Sequence, residues 1–132
     1  GETLGLVGES GSGKSTLVLA MMRAVLPTKG QVFFQGQDLT HLSEKTLKPL
    51  RRRMQMVFQD PYASLNPNMR VRDIIAEPLR AHKWGSRDEV AERVRYLLNE
   101  VGLPQDAGDR LPAQFSGGQR QRIAISRALA TC

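Results

Sequence analysis

The sequence predicts an α/β fold, with strands in the first half of the chain and helices in the second. Three observations predict it. A short apolar run near the start passes through a glycine-rich loop into a helical stripe, strand-like runs crowd into residues 1–60, and helical periodicity dominates the remainder. The 132 residues suit one domain, and a folded chain of this length buries roughly two-thirds of its unfolded surface. With 40% apolar and 24% charged residues the composition excludes a disordered chain.

Thr3–Val7 is a short apolar run bounded by glycine, the pattern of a buried strand. After the glycine-rich stretch Gly8–Gly13, the positions Leu17, Ala20, Met21 and Ala24 recur at helical spacing and predict an apolar stripe, ended by Pro27 and Gly30. Gln31–Phe34 reads as a second strand with Gly36 as its turn. Ser43 is the N-cap of a helix through about Arg52, with Pro49 disturbing its last turns. Met54–Phe58 reads as a third strand, broken by Asp60 and Pro61, and residues 61–70 as loop. A helix over about Val71–Lys83 contains Pro78, which is expected to kink or split it. Ser86 and Glu89 have the spacing of a capping box, Val90, Val94, Leu97, Leu98 and Val101 form a stripe, and Gly102 stops it. A loop with Pro104, Gly108 and Pro112 leads to a last helix from about Gly117.

Composition bounds the function. The longest apolar run, Leu17–Met22, is far short of the ~20 residues that cross a bilayer, and no charged segment followed by an apolar one opens the chain as a secretory signal does. The single cysteine, Cys132, excludes an internal disulfide and fits a reducing compartment. The net charge of +6 raises nucleic acid as a partner, but the densest cluster, Lys45, Lys48, Arg51, Arg52 and Arg53, has no interleaved aromatic residue to stack on bases. It reads as a solvated basic helix face or a surface facing anionic lipid heads or another subunit, and no nucleic-acid partner is expected. His41 and His82 lie in polar segments and read as solvent-exposed. The chain lacks an initiator methionine and ends in mid-helix, so it is expected to be a piece of something longer.

Gly8–Ser15 fits G-x-x-x-x-G-K-[ST] without mismatch, between a predicted strand and a predicted helix. Glycines let successive backbone N–H groups turn inward around an anion, and the new helix aims its unpaired N–H groups and positive dipole end at the same point. Lys14 adds a point charge for the β- and γ-phosphates, and the Ser15 hydroxyl is a ligand for Mg²⁺. Gly8, Glu9, Ser10, Gly11, Ser12, Gly13, Lys14, Ser15 and Thr16 are expected to line a nucleoside-triphosphate site. The glycine spacing is wrong for a dinucleotide fingerprint.

A second unusual string is Ser116-Gly117-Gly118-Gln119. Capping-box spacing accounts for Ser116 and Gln119 but not for two glycines in a first helical turn, where each costs up to ~1 kcal/mol relative to alanine. They make sense if something must approach the backbone closely. The chain then has two phosphate-directed helix starts, one at Ser15 and one at Ser116.

Gly8–Ser15 resembles the Walker A loop of ATP-binding-cassette (ABC) ATPases, Ser116–Gln119 their signature motif, and Val57-Phe58-Gln59-Asp60-Pro61 their Q-loop, in family order. Phe58–Pro61 followed by Ser64-Leu65-Asn66-Pro67 is similar to ATPase subunits of dipeptide, oligopeptide and nickel importers. The resemblance implies a P-loop NTPase core over residues 1–60, a helical subdomain over 61–115, and a signature motif and returning helix over 116–132. It implies ATP and Mg²⁺ as ligands, Ser15 and Gln59 as metal-side residues, and Lys14 and Gln59 as catalytic residues. Ser116, Gly117, Gly118 and Gln119 would meet the ATP of a second ABC domain in a head-to-tail dimer. Such a dimer closes on ATP and parts after hydrolysis, driving membrane subunits that hold it at the cytoplasmic face of the membrane.

The family's Walker B strand, D-loop and switch histidine would lie beyond Cys132, and its adenine-stacking aromatic residue before Gly1. The 132 residues alone are therefore expected to hydrolyse ATP negligibly, with exposed sheet edges. The leading expectation is ATP-driven solute import of peptide type. The alternatives are a non-transport ABC ATPase of translation or DNA transactions, and a non-catalytic nucleotide-binding fragment. Only 57 residues separate Gln59 from Ser116 and heptads are absent, which disfavours the chromosome-type members with long coiled coils. A plain P-loop kinase or GTPase has no role for Ser116–Gln119.

Overall fold

A computed structural model describes residues 1–60 and 64–132; Pro61 of the predicted Q-loop, with Tyr62 and Ala63 of the predicted loop, lies outside them. The chain divides into two compact units, Gly1–Arg51 and Arg52–Cys132.

The first unit contains helix α1 (Lys14–Met21), a hairpin of β1 (Phe33–Phe34) and β2 (Gln37–Asp38), and helix α2 (Glu44–Arg51). The hairpin is antiparallel, with Phe33 opposite Asp38 and Phe34 opposite Gln37. Its two central residues, Gln35 and Gly36, have φ of 52° and 80°, and two positive values in succession are what a tight hairpin turn matching the strand twist requires. Leu39 and Leu47 are fully buried. Ser43 caps α2 as predicted, its Oγ accepting from the Thr46 N–H at 3.3 Å, and the helix runs past Pro49 to Arg51.

Several expectations fail here. Thr3–Val7 and Met54–Phe58 form no strand, and Gln31–Phe34 pairs only over its last two residues. An apolar run becomes a strand only when neighbouring strands take up its N–H and C=O groups, and neither of those two runs has a ladder partner among the described residues. Leu4 and Val7 are 93% and 95% exposed. The predicted stripe on α1 is not buried either, because no residue of α1 is buried.

Helix α1 also ends well before Pro27. Arg23 takes a left-handed conformation, φ 54°, its N–H donating to the Ala20 carbonyl while the Ala24 N–H reaches the Leu19 carbonyl. This is a Schellman stop with arginine where glycine is usual. The Arg23 side chain is only 6% exposed, and its Nε and Nη2 donate to the carbonyls of Leu39 (2.7 Å) and Leu42 (3.2 Å). Those bonds offset the left-handed backbone, which costs roughly 1–2 kcal/mol in a residue bearing a Cβ.

The second unit is helical. Helices α3 (Val71–Ala81), α4 (Arg87–Glu100) and α5 (Gly117–Leu129) pack around one core, with short 3₁₀ turns at Gln105–Asp109 and Pro112–Gln114. The core takes Ile74, Ile75 and Leu79 from α3, Val94, Leu97 and Leu98 from α4, Phe115 from the preceding loop and Ile123 from α5. Pro78 does not split α3. An internal proline costs about 3 kcal/mol. Burying Ile74 and Ile75 before it and Leu79 after it returns roughly 1.5–3 kcal/mol each, so packing wins.

Helix α4 starts with the predicted capping box. Ser86 Oγ accepts from the Glu89 N–H, and the Glu89 carboxylate accepts from the Ser86 N–H and Oγ, each at 2.8 Å. Those two donors hold the Glu89 carboxyl below the usual carboxylate range. A folded-state pKa below the unfolded one means the box stabilises fully above the ordinary carboxylate range, and the benefit is lost as pH falls through the depressed value. Glu89→Gln keeps the capping geometry and removes the charge. It is expected to be less stable than the parent near neutrality and equal to it in strong acid, as read by urea denaturation at both pH values.

Helix α4 ends at Gly102, φ 66°, as predicted. Helix α3 ends in the same way, but at Lys83, φ 51°.

Candidate nucleotide-binding site

The loop between Gly8 and Lys14 is shaped by its glycines. Gly11 and Gly13 have φ of 83° and 89°, which side-chain-bearing residues rarely adopt, and the Ser12 N–H closes a turn onto the Glu9 carbonyl at 3.2 Å. Gly13 is the N-cap of α1, so no side chain competes for the N–H groups of its first turn. Among the described residues, the N–H groups of Ser15 and Thr16 make no hydrogen bond. A helix leaves such donors free by construction, and here they converge with the positive end of the dipole.

Lys14 folds back across the loop. Its Nζ donates to the carbonyls of Gly8 (2.7 Å) and Glu9 (2.5 Å) and lies 3.4 Å from Ser12 Oγ. The ammonium is thus held against the turn by three of its oxygens. Ser10, Ser15 and Thr16 are exposed. The donor set is cationic and hydroxylic, which suits a phosphate chain. Mg²⁺ keeps most of its oxygens from water and phosphate and needs few from protein, so a lone hydroxyl at Ser15 is a fitting ligand. Among the described residues no group of three or more His, Cys, Asp or Glu is placed to hold a metal by itself.

In the second unit, Ser116 and Gln119 form a complete capping box at the start of α5. Ser116 Oγ accepts from the Gln119 N–H at 3.4 Å, and Gln119 Oε1 accepts from the Ser116 N–H at 3.0 Å. The four residues Ser116–Gln119 are exposed. Neither glycine has a positive φ, and a Cβ built on Gly117 or Gly118 meets no atom within 4 Å. Nothing among the described residues requires glycine at either position.

Arg120, beside the glycine pair, is not a solvated surface cation. It is 9% exposed, and its Nε and Nη2 donate to the Phe115 carbonyl at 2.9 and 2.6 Å, fixing the residue before Ser116. No local pattern signals that role. Gln59 is an exposed side chain of the second unit. His41 is exposed as expected, whereas His82, at the C-cap of α3, is half-buried.

The fold is that of a P-loop NTPase. A solved dimeric structure of the ATP-binding cassette MJ0796, in a post-hydrolysis state with ADP and Pi, superposes with a TM-score of 0.79 at 33% identity, over 93% of this chain and 53% of that one. The chain belongs to the ABC transporter family, whose model matches residues 1–132. It is 55% identical, over 98% of its length, to the oligopeptide transport ATP-binding protein AppF of Bacillus subtilis strain 168. It is 55% identical over the same share to the glutathione import ATP-binding protein GsiA of Salmonella paratyphi A. It spans 40% of AppF and 21% of GsiA. Among the described residues, no helix is long and apolar enough to cross a membrane.

Proposed function

We propose that these residues form part of an ATP-binding subunit that hydrolyses ATP to energise import of a peptide-type solute. In this reading Gly8–Thr16 hold the phosphates of ATP, with Lys14 on the β- and γ-phosphates and Ser15 on Mg²⁺. Gln59 orients water or metal with a neutral amide, adding no charge. Ser116–Gln119 meet the γ-phosphate of an ATP held by a second ABC domain. Mg²⁺, if held there by Ser15, would supply charge neutralisation for the phosphates. Residues 1–60 serve as part of the core, 61–115 as the helical subdomain, and 116–132 as the return. Membrane subunits keep the assembly at the cytoplasmic face. The 132 residues alone, without a general base, turn over ATP negligibly.

The observation that carries this reading is the exposed glycine pair at the start of α5, which neither backbone conformation nor internal packing demands. Gly117→Ala combined with Gly118→Ala tests it in the full-length protein. Helix propensity makes the variant as stable as the parent or more so, by up to ~1 kcal/mol per site. ATP turnover is expected to fall by at least tenfold, with ATP affinity of the monomer unchanged. A fully active variant would falsify the assignment of this corner to a partner's nucleotide.

A further inference from the structure

Helix α5 carries Ser116–Gln119 at one end, and residues at its other end grip the backbone on both sides of Gln59. Thr131, just past the helix and 6% exposed, donates from Oγ1 to the Arg52 carbonyl at 3.0 Å and accepts from Gln55 Nε2 at 3.4 Å. On the far flank, Arg127 Nη1 donates to the Ser64 carbonyl at 2.6 Å. Both carbonyls belong to the main chain, so these bonds hold the backbone at Arg52 and at Ser64 rather than the rotamer of one side chain.

The gripping helix is itself held firmly. Arg93 of α4 donates from Nε to the Ala130 carbonyl (3.2 Å) and from Nη2 to those of Leu129 (3.0 Å) and Cys132 (2.8 Å), closing the C-terminal end of α5. Arg122 donates to the Val101 carbonyl at 2.9 Å, and Ile123 and Ser126 are fully buried. A thirteen-residue helix is about 20 Å long and, so anchored, moves as one rod.

We propose that Arg127 and Thr131 are positioning residues for Gln59, coupling its segment to the helix that presents Ser116–Gln119. A displacement of the exposed end of α5 then carries both flanks of Gln59 with it. What Gln59 does once placed rests on the function proposed above; the grip itself does not.

The test uses the full-length protein with its other cysteines removed. Val57→Cys and Glu92→Cys carry nitroxide labels, one on the gripped segment and one on an exposed position of α4. In the otherwise parental protein the pulsed-EPR distance distribution is expected to be narrow. Arg127→Gln and Thr131→Val should each broaden it at least twofold. Without labels, both should lower kcat about tenfold and leave the KM for ATP within twofold, with Arg127→Lys recovering most of the loss. A distribution of unchanged width in both variants overturns the grip, and a broadened one with parental kcat overturns the positioning role. Thr131→Val is nearly isosteric and reports even if Arg127→Gln does not fold. If the parent does not bind Mg-ATP, the proposed function fails, while the distance measurement still decides the grip.

Discussion

Replacing Lys14 by alanine is expected to cost at least ~100-fold in ATP affinity, about 3 kcal/mol. The ammonium spans the carbonyls of Gly8 and Glu9 and reaches Ser12 Oγ, neutral acceptors whose net worth is about 0.5–1.5 kcal/mol each. Phosphate oxygens in their place give charge-assisted bonds, about 1.5–3 kcal/mol each and roughly twice as strong. Exchanging two of these acceptors for two phosphate oxygens gains about 2–3 kcal/mol, in line with that loss. The loop amides of the first helical turn remain, so residual weak binding is expected. An equilibrium titration in which Lys14→Ala keeps parental affinity would remove Gly8–Ser15 from the nucleotide site.

The second large effect concerns assembly. Ser116→Arg places a long cation at the exposed start of α5, where the monomer has open space at the neighbouring glycines. It also removes the hydroxyl that accepts from the Gln119 N–H, a loss of about 1 kcal/mol in helix capping. Such a cap does not govern folding of a unit whose core is formed by three helices. ATP binding by the monomer should therefore be nearly parental, while ATP-driven dimers disappear from light scattering of the full-length protein. Normal dimerisation would count against any role for this corner at a partner's nucleotide.

Short-range features were legible because their partners lie a few residues apart. The phosphate loop spans Gly8 to Ser15, each capping box spans four residues, and Gly102 stops α4 by its own conformational freedom. Strand formation was not legible, since hydrophobic runs at residues 3–7 and 54–58 carry no information on whether a neighbour will take up their backbone groups. Nor was the persistence of α3 through Pro78, where the burial of Ile74, Ile75 and Leu79 by other helices outweighs a local penalty. Arg23 and Lys83 stop helices as glycine would, and only the structure distinguishes them from ordinary surface cations.

By itself the sequence determined the loop chemistry around Lys14, the helix starts at Ser86 and Ser116, and the family likeness, all of which depend on neighbours in the chain. The tertiary structure alone decided that Gly117 and Gly118 face open space, that Arg120 is buried against the Phe115 carbonyl, and that Arg127 and Thr131 reach the two flanks of Gln59. The last two contacts join residues 63 to 79 positions apart, from Ser64 to Arg127 and from Arg52 to Thr131. Folding determines them, because only a packed core fixes which distant carbonyl a guanidinium or hydroxyl will meet.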